Sequence, residues 1–125
     1  MDVTVIVAAR QPLRRALAEA LTGRGHRVSK SCSSLADTLA AVRRSHPDVC
    51  VIDRELPGGA LAAIAALTGP QRQPQVIVIG GESPAEVRAV RLAGAAACLP
   101  AAVDPEELAA AVAAAAAREQ GEETR

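Results

Sequence analysis

Phe, Tyr and Trp are absent from all 125 residues. No ring can therefore stack on a base, and a core has to be built from Val, Ile, Leu and Ala. An excess of basic charge is absent too, with 14 Lys and Arg against 14 Asp and Glu. Gripping a phosphate backbone depends on such an excess, so this chain alone is not expected to bind nucleic acid. Cysteine is scarce. Cys32, Cys50 and Cys98 are an odd count, too widely spaced for a Cys-x-x-Cys site, and read as small buried thiols in a reducing compartment. His26 and His46 stand alone beside polar residues, which favours the surface. No metal and no cofactor is expected from these residues. Long hydrophobic runs are also lacking. The N-terminal "MDVTVIVAAR" holds a short apolar run broken by Thr4 and closed by Arg10, too short for a span and without the basic start of a signal peptide. The expectation is a soluble, cytoplasmic protein with no membrane partner.

What is present has a clear order. Three β-branched runs, "VTVIVA" (3–8), "VCVID" (49–53) and "VIVIG" (76–80), are continuous rather than alternating, as in parallel strands covered on both faces. "RVSKSC" (27–32) alternates, which suggests an edge strand with one wetter face, and "AACLP" (96–100) is a weaker fifth candidate. Helical stretches separate the strands. The first carries Leu13, Leu17 and Leu21, the second Leu35, Leu39 and Val42 behind Ser33 or Ser34, and the third Leu61, Ile64 and Leu67. The fourth opens with Ser83, Pro84 and Glu86, a capping box; the fifth opens on Asp104 and Pro105 and keeps Leu108 and Val112 on one face. Strands alternating with helices predict a single three-layer (βα)5 domain, a doubly wound parallel sheet in the order 2-1-3-4-5, over residues 1–118. Residues 119–125 are polar and Gly-broken, and read as a tail or the start of a linker.

In such sheets ligands bind beyond the carboxyl ends of the strands, where the strand order reverses. Asp53 ends the third strand there, just before "RELPGG". Ala8, Ala9 and Arg10 end the first strand beside it, Gly80 and Gly81 the fourth, and Pro100 and Ala101 the fifth. Asp53 is then either a reactive carboxylate or one paired locally. Arg10 is either a solvated arginine or a fixed cation leaning toward it. Glu55 is expected to be exposed.

Over roughly residues 2–117 the chain resembles the receiver domain of a bacterial two-component response regulator, a CheY-like, flavodoxin-like fold. The stretches that carry the resemblance are "PDVCVIDRELPGG", "RQPLRRALAEAL", "VIVIGG" and "RAVRLAGAAACLPAAVDPEELAAAV". The Ala- and Arg-rich style and the "LPGG" loop look most like regulators with a C-terminal LuxR-type helix-turn-helix. The resemblance implies a phosphoryl-accepting aspartate at Asp53, served by an acidic pair holding Mg²⁺, a Ser or Thr, a Lys and a switching aromatic. Matched residue by residue, the acidic pair falls on Ala9 and Arg10 (Ala8 and Ala9 in a shifted frame). The hydroxyl falls on Gly80, the lysine on Ala101 or Pro100, and the aromatic on Cys98. Only the acceptor matches.

The function expected is an atypical, phosphorylation-independent regulatory and dimerising domain of a transcription regulator, whose DNA-binding output domain follows Arg125. It is not expected to be an enzyme, since no nucleophile–base pair or phosphate-cradling Gly loop is present. Two alternatives stay open, a stand-alone protein-interaction module and a small-molecule sensor using the emptied pocket. The expected partner is a second copy, weakly held. Its face is formed by Val87, Val90 and Arg91 with Ala110, Ala114 and Ala117, rimmed by Arg88, Glu106 and Glu107. The competing face is the first helix against the fifth, with Arg14, Arg15 and Glu19 at its rim.

Overall fold

The structure, a computed structural model, describes residues 3–68 and 74–123, of which 119–123 as backbone alone. Strands and helices alternate through the chain: β1 (Thr4–Ala8), α1 (Leu13–Thr22), β2 (Arg27–Cys32), α2 (Leu35–Ser45), β3 (Val49–Asp53), α3 (Ala60–Leu67), β4 (Gln75–Ile79), α4 (Pro84–Leu92), β5 (Ala97–Leu99) and α5 (Pro105–Glu123). The sheet is five-stranded, ordered β2-β1-β3-β4-β5, and every pairing is parallel. That is the order predicted from the sequence.

The continuous apolar runs are explained by two separate cores. Val5, Val7, Val49, Val51, Ile77 and Ile79 pack beneath α1 and α5 with Leu17, Leu21, Leu108 and Val112. Ile6, Ala8, Cys50, Ile52, Val76 and Val78 pack on the other face with Val42, Ile64, Leu67 and Val90 of α2, α3 and α4. Successive strand residues point to opposite faces, so a strand covered on both sides must be apolar at every position. The edge strands show the converse. β2 is mostly exposed, and β5 is only three residues long. Cys32 and Cys50 are buried as expected, and burial pushes the Cys50 thiol up to about 12; Cys98 is half-buried.

The helix starts follow their sequence signals. The Ser34 hydroxyl accepts from the Asp37 N–H at 3.2 Å, and Ser83 and Glu86 form the reciprocal capping box. Four expectations need correction. Leu61 is 52 % exposed, and α3 turns Ala60, Ala63, Ile64 and Leu67 inward instead, because the helix starts at Ala60 and its inward face begins there. Val90 is only 4 % exposed and belongs to the core, so it cannot stand on an interface. His26 is half-buried, with Nε2 3.0 Å from the Ala109 carbonyl, and ties the start of β2 to α5. Finally, α5 runs on through Gly121 to Glu123, so part of the segment read as a tail is helical; residues 124 and 125 lie outside the described residues.

Ile52→Ala should lower the unfolding free energy by about 2–5 kcal/mol in urea titrations followed by far-UV circular dichroism. Leu61→Ala should change it by less than about 0.5 kcal/mol, as expected of a surface position. A large loss at Leu61 would contradict the orientation of α3.

Candidate functional site

β3 is flanked by β1 and β4, and its last residue, Asp53, projects to the α1–α5 side with Val49 and Val51. The carboxylate is nearly sealed, at 2 % exposure. A carboxylate removed from water is costly unless its lone pairs are met. Three N–H groups meet them. Oδ2 accepts from the Arg10 backbone N–H at 3.0 Å and from Arg10 Nε at 3.1 Å, and Oδ1 accepts from the Glu55 backbone N–H at 2.9 Å.

Of the two readings left open for Arg10, the leaning cation is the one realised. It flanks the carboxylate more than it fills the space beside it, since its side chain remains 56 % exposed. Glu55 is exposed and contributes only its backbone to Asp53, as expected. Burial alone would raise the Asp53 carboxyl, but the Glu55 N–H, the Arg10 N–H and the Arg10 guanidinium outweigh it and hold the group below the usual carboxylate range.

The other predicted positions form the rim. Ala8 and Ala9 are fully buried, and the Ala9 N–H donates to the Cys32 carbonyl at 3.0 Å. Gly80 has φ +115°, a conformation that side chains with a Cβ rarely adopt, and its N–H donates to the Leu99 carbonyl at 2.7 Å. Gly81 lies against Cys98, and any Cβ placed there would collide with Sγ. Ala101 is exposed in the turn after β5. Among the described residues no group of three or more His, Cys, Asp and Glu side chains is placed to hold a metal ion.

One contact was not anticipated. Glu86 serves the capping box through Oε1, which accepts from the Ser83 N–H at 3.1 Å, while Oε2 pairs with the Arg54 guanidinium. Arg54 directly follows Asp53, so this pair ties the end of β3 to the start of α4. The Ser83 and Glu82 N–H groups, with Arg54, hold Glu86 below its ordinary range. The sequence marked Glu86 only as a cap, because a capping glutamate's second oxygen has no local partner to announce it.

The Asp53 pair has a testable dependence on pH. A carboxyl depressed by folding adds stability that is fully present above its unfolded pKa of about 4 and is lost as pH falls through the lower folded value. With the guanidinium more than half exposed, Arg10→Ala should cost only about 0.5–1 kcal/mol at neutral pH, because solvent screens the pair. In urea titrations at descending pH, the wild type and Arg10→Ala should converge once Asp53 is protonated. A neutral substitution at pH 7, or a gap that persists in acid, would show that the pair adds nothing.

Residues 4–113 match the family described as response regulator receiver domain. Among solved structures, the signal receiver domain assigned to NarL from Mycobacterium tuberculosis aligns with a TM-score of 0.86 at 26 % identity, over 93 % of this chain and 97 % of that one. A LuxR-family two-component response regulator from Aurantimonas sp. aligns with a TM-score of 0.81 at 22 % identity, over 94 % and 86 %. A LuxR-family DNA-binding response regulator from Staphylococcus aureus gives 0.83 at 19 %, over 91 % and 98 %; at these lower identities the likeness is one of fold. No curated protein matches the chain. No helix among the described residues is long and apolar enough to cross a membrane. A five-stranded parallel sheet with an aspartate closing its central strand, matched over nearly its whole length, makes this chain a member of the response regulator receiver domain family.

Proposed function

We propose that the chain is the regulatory and pairing half of a transcription regulator, and that it acts without phosphorylation. The observation that carries this reading is the occupation of both Asp53 oxygens by Arg10 and Glu55. A phosphoryl acceptor needs a free oxygen aligned with the incoming phosphorus, and a dication to neutralise the charge that develops. Mg²⁺ takes oxygen ligands in near-ideal octahedral geometry. Ala9 and Arg10 supply no carboxylate at the positions where the family keeps its acidic pair, and a guanidinium beside Asp53 repels a dication. The residues present do not fit the ion. Gly80 supplies no hydroxyl, Ala101 no cation and Cys98 no ring to swing, so the parts that would read a phosphoryl group are replaced as well.

In place of a switch, the chain has fixed ties. Arg10 holds the first loop to β3, and Arg54 holds β3 to α4 through Glu86. A domain held in one arrangement still contributes by bringing two output domains together, because a twofold protein reads a twofold operator. The LuxR-family neighbours support a DNA-binding output domain in the parent protein. The pairing face keeps Arg91, Ala110, Ala114 and Ala117, all exposed, with half-buried Val87 at its edge; Val90 is withdrawn from it. Leu92, at 81 % exposure, follows Arg88 by one helical turn and adds a large apolar group. Alanines bury little area, so at ~25 cal/mol per Å² the dimer should be weak.

Incubation with acetyl phosphate and Mg²⁺ should leave the intact mass unchanged. A stoichiometric gain of one phosphoryl group, lost in Asp53→Ala, would overturn phosphorylation independence. Sedimentation across a concentration series should show reversible association that Ala114→Glu abolishes. A strict monomer at high concentration would remove the pairing role and leave the interaction-module reading in its place.

A further inference from the structure

A cleft of about 750 Å³ lies along the free edge of β2, between α1 on one face of the sheet and α2 on the other. Arg14 reaches it from α1, Lys30 from β2 and Arg44 from α2, with Asp37 as its one carboxylate. Three cations against one anion is a sharp local excess in a chain whose charges balance. None of the three has an ion partner among the described residues, where Arg10, Arg15 and Arg54 take the carboxylates instead. Ser29, Ser31 and Ser33 also line the cleft, and their hydroxyls have no side-chain hydrogen bond among the described residues. Ser45 is committed, donating to the Ala41 carbonyl at 2.9 Å.

The cations meet because of a backbone irregularity. Val5 pairs with Val28, but Ile6 pairs with Lys30, so Ser29 is an extra residue in the edge strand. In regular alternation Val28, Lys30 and Cys32 would share one face. The bulge separates them: Val28 packs toward α1 and α5, whereas Lys30 and Cys32 are turned to the α2 side with Ile6 and Ala8. Cys32, buried at the end of β2, is influenced by the same charges. Burial pushes Cys32 up and the Thr38 hydroxyl pulls it down, while Asp37 and the opposing Lys30 and Arg14 all act on it.

An edge lysine and a bulge are common protection against unwanted strand pairing. That protection accounts for Lys30 and Ser29, but not for Arg14 and Arg44 converging from two helices on opposite faces. It also argues against an added peptide strand as the occupant. Arg14, Lys30 and Arg44 stand on three different elements, so a ligand with several linked charges can engage more of them than a single phosphate can. With no aromatic side chain, a nucleobase has nothing to stack on, and recognition falls to the anionic groups.

We propose that this cleft binds a small linear polyanion of the oligophosphate class, its charges met by Arg14, Lys30 and Arg44 and its oxygens by the serine hydroxyls. Asp53 and its partners are not among the lining residues, so the site stands or falls separately from the reading of Asp53. Calorimetric titration of the whole chain with sodium tripolyphosphate at low salt should show one saturable site, weakened by added salt. Lys30→Gln and Arg44→Gln should each weaken it about tenfold, the scale of one lost charge-assisted contact. Arg15→Gln, on the exposed side of α1 and outside the cleft, should leave it unchanged. A second readout uses Lys30 as the chain's single lysine: reductive methylation keeps its charge, and the labelled methyl signal should shift with the same midpoint. Absence of a saturable response would overturn the site. So would equal weakening by Arg15→Gln, equal affinity for orthophosphate, or binding of an acidic peptide where tripolyphosphate fails, which would make this a strand-docking edge.

Discussion

The carboxylate of Asp53 is buried at the end of the middle strand of the sheet, and its hydrogen bonds decide how the neighbouring loops sit. Leaving such a group uncompensated would cost several kcal/mol. Two of its three donors are backbone N–H groups, from Arg10 and Glu55, so they fix main chain as well as side chains. The β1–α1 segment is thereby held over the end of β3, and the turn after Asp53 closes with the Leu56 N–H on the Asp53 carbonyl at 3.0 Å. The third donor is the guanidinium of Arg10. It adds a side-chain tie to the two backbone hydrogen bonds at the same carboxylate.

Charge elsewhere is distributed by the same logic. Arg54 is held between Glu55 and Glu86, while Arg14, Lys30 and Arg44 around β2 have no such partners among the described residues. The two cores are apolar and without rings, so each packs by the interlocking of short branched side chains. Two helices cover one face and three the other, and of the two edge strands β2 is mostly exposed and β5 half-buried.

The strands, their order and the place of Asp53 were legible because each rests on a repeated signal. Continuous β-branched runs mean two covered faces, and alternation with helices then leaves few topologies. Topology and charge placed Arg10 beside Asp53 once the first and third strands were set side by side. They left open whether its side chain turns to the carboxylate or to solvent, because a loop side chain's direction has no sequence signal. Other features left no such trace. A bulge adds one residue to β2 without changing its composition, so nothing in "RVSKSC" reveals that Val28 and Lys30 face opposite ways. Leu61 and Val90 were misplaced because hydrophobicity gives the period of a helix better than the edges of its buried face. The helical run through Gly121 was missed because one glycine costs a helix only about 1 kcal/mol, which the surrounding residues outweigh. His26 is tied to a carbonyl more than eighty residues away, a contact no local pattern encodes.

The buried side of α5 carries Ala109, Ala115 and Ala116 beside Leu108 and Val112. With so little side chain between them, the helix backbone lies close against the layer below. Its position is set by Leu108 and Val112 packing among these small residues, with few flexible atoms to absorb a change. A bulkier side chain there would tilt the rod and displace its far end by more than the length of the added atoms. Small residues along the buried side of a helix thus set its direction.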